Sequence, residues 1–300
     1  MEEFVQHLIN GISLGSIYGL VAIGYTMVYG ILKLINFAHG DVYMMSTFFG
    51  FYFARWLGFA YTPSVIGALI ILFLAMAACA LLGFTIERFA YRPLRKMPRL
   101  NLLITAIGVS LLLENGGQIL FGADPKFFPE LIQRAELFRI GDISISNFQV
   151  IIIVVSLSFM ALLQYIIFHT KTGKAMQAVS FHHENASLMG IDIDRIISFT
   201  FVLGSALAAA AGILVGLAYP RIDPLMGVLF GLKAFVAAVL GGIGSVPGAI
   251  VGALIMGLSE EMVVGYFSST YRDALAFFLL IVILLVKPTG LFGKSTSEKV

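Results

Sequence analysis

Ser64-Val65-Ile66-Gly67-Ala68-Leu69-Ile70-Ile71-Leu72-Phe73-Leu74-Ala75-Met76-Ala77-Ala78-Cys79-Ala80-Leu81-Leu82-Gly83-Phe84-Thr85-Ile86 carries no charged side chain, and Glu87-Arg88 follow at once. A helix rises 1.5 Å per residue, so about 20 residues cross the roughly 30 Å hydrocarbon layer of a bilayer. The stretch therefore reads as a membrane-spanning helix. Further apolar runs occupy 8–32, 41–57, 101–121, 148–168, 196–219, 225–243, 247–266 and 273–287. Two of these have the marks of a broken or re-entrant helix. The run 41–57 is short and follows Asn36-Phe37-Ala38-His39-Gly40, and 225–243 carries Lys233 and ends in Gly241-Gly242-Ile243-Gly244. Broken helices survive in membranes only where protein or a watery path satisfies their backbone. The fold class is an all-α, polytopic transmembrane helix bundle of about eight or nine spans.

Composition agrees. Of 300 residues 59% are hydrophobic and 12% charged, with mean hydropathy +0.95. Soluble domains run nearer half apolar and a quarter charged, so this chain could not cover its surface in water. A net charge of +2 gives no footprint for nucleic acid. The single cysteine, Cys79, lies in an apolar run and reads as a small buried hydrophobe. The acidic start Met1-Glu2-Glu3 is unlike the basic region of a secretory signal, so the first run reads as a retained span.

With nine spans, twelve basic residues share one side: Lys33, Arg88, Arg92, Arg95, Lys96, Arg99, Lys171, Lys174, Arg195, Lys287, Lys294 and Lys299. Six lie on the other: Arg55, Lys126, Arg134, Arg139, Arg221 and Arg272. The basic side is expected in the cytoplasm, and the C-terminus with it. Residues 122–147 are then an outer loop with balanced charge that includes Asp142, and 169–195 an inner segment. No linker marks a second domain, so 1–300 reads as one membrane domain.

Small residues let helices approach in lipid. Ladders occur at Gly11/Gly15/Gly19, Gly204/Ala208/Gly212/Gly216 and Gly244/Gly248/Gly252. The break at 36–41 and the break at 241–248 each adjoin a ladder, a faint internal symmetry of the kind transporters carry. Charges inside spans are costly and mark function by default. Here they are Glu114, Lys233, Glu260 and Glu261, with His39 and Asp41 at a break. Lys233 can reach along its stem to the interface, and Glu260 and Glu261, near a span end, are expected to reach water.

Several chemistries are missing. Gly290-Leu291-Phe292-Gly293-Lys294-Ser295 lacks the first glycine of a phosphate loop, with Pro288 in its place, and follows an apolar span rather than a strand. No H-E-x-x-H occurs, and His182-His183-Glu184 point in different directions on a helix, so no metal site is expected. Within 169–195, small and apolar residues recur at steps of three or four from Lys174 to Met189. Gly190 suits a helix stop. A short amphipathic helix is expected, lying on the membrane surface or fitting a groove on a soluble partner. Its alanine-rich face favours the groove.

The chain resembles the membrane permease subunits of bacterial importers powered by ATP-binding cassettes, of the branched-chain amino acid (LivH) type. The likeness rests on Gly24-Tyr25-Thr26-Met27-Val28-Tyr29-Gly30, Ile35-Asn36-Phe37-Ala38-His39-Gly40-Asp41-Val42-Tyr43-Met44 and Ile86-Glu87-Arg88-Phe89-Ala90-Tyr91-Arg92-Pro93-Leu94-Arg95. It continues through Ala186-Ser187-Leu188-Met189-Gly190-Ile191, Lys233-Ala234-Phe235 and Val239-Leu240-Gly241-Gly242-Ile243-Gly244-Ser245-Val246-Pro247-Gly248-Ala249. The resemblance implies a multi-pass protein of the bacterial inner membrane that is not itself an enzyme. It implies a second related permease subunit, two cytoplasmic ATP-binding subunits and a periplasmic substrate-binding protein. ATP is then bound by the partners, and this chain needs no cofactor. Glu184, Ala186, Ser187, Leu188, Met189 and Gly190 take the place of the segment that couples to the ATPase. Asn36, His39, Asp41, Gly242, Gly244 and Ser245, at the two breaks, are the expected path residues. Leucine, isoleucine and valine are the expected cargo. The alternatives are another amino acid, an amide or urea, or a proton-coupled secondary carrier using Glu114 or Asp41.

Overall fold

The computed structural model describes residues 2–95, 97–141 and 143–293. Met1, Lys96, Asp142, Lys294, Ser295 and Lys299, used above, lie outside the described residues. The helices are α1 (Glu2–Leu32), α2 (His39–Trp56), α3 (Val65–Ile86), α4 (Arg99–Phe121), α5 (Asn147–His169) and α6 (Lys171–Phe181). They continue as α7 (His183–Leu188), α8 (Ile193–Ala218), α9 (Met226–Gly241), α10 (Val246–Tyr266) and α11 (Arg272–Val286). A π-helical turn, Glu87–Tyr91, and a 3-10 turn, Arg92–Leu94, extend α3. The loop 122–147 holds short strands β1 (Lys126–Phe127), β2 (Glu136–Ile140) and β3 (Ile143–Ser146). β2 and β3 form an antiparallel hairpin, and β1 pairs with β4 (Arg221–Ile222).

Seven helical stretches among the described residues are long and apolar enough to cross a membrane: α1, α3 with its extension, α4, α5, α8, α10 and the stretch ending in α11. Of the nine apolar runs, the two outside this set are α2 and α9, the runs whose sequence suggested a break. Both chain segments still link one end of the bundle to the other, but with less helix than the other spans. One end of the bundle is fixed by Ser144 N–H donating to Gln6 Oε1 (2.9 Å) and Ser64 N–H donating to Leu131 O (2.8 Å). These bonds gather the starts of α1, α3 and α5 beside the hairpin. The opposite end is fixed by His183 Nε2 against Ile31 O (2.8 Å) and Asp194 against Arg95 (2.7 Å). α2 leaves this second end and joins α3 at the hairpin end, so it travels with only about 27 Å of helix. α9 makes the reverse journey with about 24 Å.

The shortfall is met by a fold-back. α1 is about 46 Å long, longer than the layer, and residues 33–38 turn back along it. The His39 ring lies on Gly24, and 4.8 Å from the Tyr25 ring. Those residues sit about 12 Å before the end of α1. The Val42 carbonyl meets Cys79 Sγ (3.6 Å) midway down α3, and Asp41 meets Ser110 midway down α4. α2 therefore begins inside the layer.

The packing has an internal two-fold pattern. α1 packs on α10 as α8 packs on α3, and α1 meets α8. α2 packs on α3, α4 and α8 as α9 packs on α10, α11 and α1. The halves α1–α4 and α8–α11 run in opposite directions, an inverted repeat. This corrects the pairing of breaks read from sequence: residues 33–38 correspond to 219–225, while 241–248 is only the turn between α9 and α10. The two short helices cross at glycine, where a Cβ on Gly40 would stand 2.5 Å from Gly227 O and 2.9 Å from Gly231 Cα.

The ladders pack tightly. Gly11 and Gly15 lie against Leu258, Ala253 and Leu254 of α10, Gly19 against Met160 of α5, and Gly216 against Phe128. Gly244 departs from its ladder. It precedes α10, has φ +96° and meets nothing within 4 Å. Replacing Gly40 by Leu is expected to force α2 off α9 and to destabilise the protein by about 1–3 kcal/mol or more. The check is the thermal unfolding midpoint in detergent, with Gly108→Ala, helical and meeting no neighbour within 4 Å, as the comparison.

Candidate functional site

The extension of α3, at the α7 end of the bundle, binds the fold-back to α8. Glu87 is fully buried, is ion-paired with Arg95 and accepts a bond from Ser198 Oγ (2.5 Å). Arg92 and Arg95 both engage Asp194, in the first turn of α8. The Tyr91 hydroxyl donates to Asn36 Oδ1 (2.7 Å) in the fold-back. The π-turn widens the helix at this point, and such bulges are frequent at functional sites. Lys33 closes the corner with φ +53°, and partial burial pushes its ammonium below the usual range.

The inner segment forms two helices rather than the single one expected over 174–189. His182 adopts φ −158°, ψ 112° and accepts the Asn185 N–H at Nδ1 (3.4 Å), so it caps α7 instead of continuing α6. α7 stops at Gly190 (φ +79°): Gly190 N–H bonds Ser187 O (2.9 Å), and Ile191 N–H bonds Ala186 O (3.1 Å). This is the paired bonding of a glycine C-terminal stop. Leu188 and Met189 are 86% and 83% exposed, and Phe181 at the end of α6 is 84% exposed. Glu184, Ser187 and Gly190 are also exposed. Ala186 is 4% exposed and faces the bundle, so it seats α7 rather than presenting a surface.

The expected path residues fall in two places. Asn36, His39 and Asp41 are all buried around the start of α2, and they point apart: Asn36 to α3, His39 to α1 and Asp41 to α4. Ser110 Oγ lies 2.5 Å from Asp41 Oδ2 and 3.3 Å from Glu114 Oε1. Its one hydrogen can serve only one carboxylate at a time. Gly242, Gly244 and Ser245 lie instead at the inner turn. Gly242 (φ +106°) packs on Gly293, and Ser245 Oγ caps α10 by accepting the Gly248 N–H (3.2 Å).

Glu260 and Glu261 do not reach water as expected. They are 1% and 7% exposed, inside a charge network. Glu260 meets Lys233 (2.9 Å), Arg272 (3.1 Å) and the Tyr18 hydroxyl (2.8 Å). Lys233 also meets Asp273 (2.6 Å), and Arg272 meets Glu261 (2.9 Å). Lys233 is thus buried and paired rather than stretched to the interface. The network ties α9, α10 and α11 to α1. Glu87, Tyr91, Arg92, Arg95, Asp194, Arg272 and Asp273 were not singled out as site residues from sequence. The available signal was a glutamate and arginines crowding the end of one span. Lys233→Met should destabilise the protein by less than the about 3–5 kcal/mol of a fully broken buried pair, because Arg272 and Tyr18 still hold Glu260. Adding Glu260→Leu should recover part of that loss in the unfolding midpoint.

Residues 7–284 match the family described as branched-chain amino acid transport system, permease component. The chain is 43% identical over 310 aligned positions to the high-affinity branched-chain amino acid transport system permease protein LivH of Salmonella typhimurium, covering 99% of this chain and 98% of that one. It is 42% identical to LivH of Escherichia coli and to BraD of Pseudomonas aeruginosa, each with the same coverage. A 26% identical relative, a probable branched-chain amino acid transport permease, comes from Methanocaldococcus jannaschii and covers 91% of this chain. With a helical bundle of span-length helices and matches over nearly its whole length, the chain belongs to the permease component family of branched-chain amino acid transport systems.

Proposed function

We propose that residues 1–300 form one permease domain that supplies half of the translocation path of an ATP-driven importer for leucine, isoleucine and valine. A second related permease subunit completes the path. Two ATP-binding subunits dock at the α6–α7 end, which is cytoplasmic, and a periplasmic binding protein delivers cargo at the hairpin end. The chain sits in the bacterial inner membrane with its C-terminus in the cytoplasm. It hydrolyses nothing and needs no cofactor of its own, since ATP is bound by its partners.

The observation that carries this reading is the linkage from α7 to α2. Glu184, Ser187, Leu188, Met189 and Gly190 form an exposed knob with an apolar tip, seated by Ala186. Asp194, four residues beyond Gly190, engages Arg92 and Arg95. Those lead through Glu87 and Tyr91 to Asn36, and so to the start of α2. A push on the knob is transmitted by ion pairs and hydrogen bonds rather than by a flexible loop. Asn36, His39 and Asp41 then move with α2 at its crossing with α9, while Gly242, Gly244 and Ser245 shape the tight turn that joins α9 to α10.

One observation favours a rival. Asp41 and Glu114 share Ser110, an arrangement a proton-coupled carrier could use. The two readings separate in proteoliposomes. An importer needs ATP and its partner subunits for uptake, whereas a carrier needs neither and loses uptake with Glu114→Gln. In the importer, Leu188→Asp is expected to abolish co-purification of the ATP-binding subunits. Asp194→Asn should leave them bound and lower uptake per ATP hydrolysed. Normal uptake in both variants would remove the coupling assignment.

A further inference from the structure

At the hairpin end two adjoining cavities, of about 420 and 540 Å³, open between α1, α5, α8 and the loop 122–147. They share Arg134, Phe148, Ala218 and Tyr219. Each lies within the 300–1,000 Å³ typical of small-molecule sites. None of the roles assigned above uses them.

Arg134 is the organising residue. Its guanidinium lies 5.4 Å over the Phe148 ring, and Nη2 donates to Ala218 O (2.8 Å). Among the described residues no carboxylate comes within ion-pair distance of it. The segment that carries it is held on both flanks. Phe128 N–H donates to Pro220 O (2.7 Å), and Leu131 is fully buried with its carbonyl accepting Ser64 N–H. Asn147 Nδ2 donates to Gln133 O (2.7 Å), and Ala135 N–H donates to Asn147 Oδ1 (3.2 Å). A cation is thus fixed in place with most of its donors free.

The rest of the lining carries three carboxylates. Glu130, in the second cavity, accepts the backbone N–H of Arg134 at Oε1 (3.4 Å). Glu136, at the rim, has one loose ion pair, 4.0 Å from Arg139. Glu261, at the floor, is already held by Arg272. Phe148, Ile152 and Ala218 supply an apolar wall. A fixed guanidinium, a nearly free carboxylate and an apolar wall in one cavity match a zwitterion with an apolar side chain. The guanidinium fork takes the carboxylate, Glu136 takes the ammonium, and the aliphatic group lies on Phe148 and Ile152.

We infer that this vestibule is a low-affinity receiving site for an apolar α-amino acid entering the bundle, with Arg134 reading its carboxylate. The inference rests on the importer reading and adds a subsite to it. The experiment uses the complete importer in phosphatidylethanolamine–phosphatidylglycerol vesicles and compares wild type with Arg134→Gln, Arg134→Lys and Glu136→Gln. Saturation-transfer magnetic resonance with millimolar leucine, without binding protein, reads the vestibule directly. Wild type should show transfer to leucine but not to leucinamide, which lacks the carboxylate, and Arg134→Gln should lose it. Maximal leucine uptake at saturating loaded binding protein should fall roughly tenfold in Arg134→Gln, the worth of one charged hydrogen bond, and recover in part in Arg134→Lys. Glu136→Gln, at an exposed position, should weaken the transfer signal even if the arginine variant assembles poorly. Equal transfer to leucine and leucinamide would overturn the site. So would unchanged uptake in Arg134→Gln, or a loss that higher binding-protein concentration restores, which marks a docking contact. Failure of the wild-type importer to take up leucine would instead sink the importer reading, while the resonance arm still decides the vestibule.

Discussion

A helix that begins inside a bilayer places its first backbone N–H groups where no water can pair them, and α2 begins there. Every feature around its start answers that constraint. The fold-back returns Asn36 to the helix start, so that its carbonyl accepts the His39 N–H at 3.1 Å. Asp41 sets a carboxylate in the first turn, where the helix dipole favours negative charge. Asn36 is itself held by Tyr91, and the π-turn that carries Tyr91 is anchored by Glu87, Arg95 and Asp194. Removing the fold-back would leave that chain of ion pairs without an object. The apolar helices supply the container, but the polar residues set where α2 stands.

The container was legible because composition alone specifies it. A run such as 64–86 has few other places to go, and glycine spacing announced the close contacts of α1 with α10. The doubt over 41–57 and 225–243 was also legible, because polar residues and glycines interrupt both. The partners were not. Arg95 and Asp194 lie 99 positions apart, and Lys233 and Glu260 lie 27 apart. Nothing local in the chain says which charges meet. The break at His182 was hidden for another reason. Phe181-His182-His183 contains no residue that refuses a helix, and histidine is not among the side chains expected to cap one. The pairing of breaks went astray because glycine richness at 241–248 looked like the fold-back, whereas its true counterpart at 219–225 carries a β-pair instead.

The two charge networks share a plan at opposite ends of the bundle. Each is built on a buried carboxylate, Glu260 or Glu87, whose cost in desolvation is offset only while its partners stay in place. Such a cluster holds one arrangement of helices. Each also has a half-exposed member, since the side chains of Asp273 and Asp194 are 49% and 44% exposed. Exposed pairs contribute less and exchange more readily. The buried carboxylates therefore stiffen the packing of α9 on α10 and of the α3 extension on α8, and the two aspartates are the members that can be remade.

An inverted repeat alone has no preferred direction, because turning it over exchanges α1–α4 with α8–α11 and leaves the same bundle. Direction comes from what the repeat does not contain. α5, α6 and α7 lie between the halves and have no counterpart in either. They put the exposed tip of α7 at one end only, beside the ends of α1 and α3 and the start of α8. The loop 122–147, which leads into α5, puts the hairpin and the vestibule at the other. Each device touches a break: α7 reaches the fold-back through Asp194 and Tyr91, and the loop reaches 219–225 through the β1–β4 pair. The two ends of the bundle are thus coupled to different short helices, the α7 end to α2 and the hairpin end to α9. Those helices meet at Gly40, Gly227 and Gly231, where the absence of side chains lets one backbone bear directly on the other. A displacement that enters at one end has a rigid route to the crossing and a different rigid route out, which is what directional transport through a symmetric bundle requires.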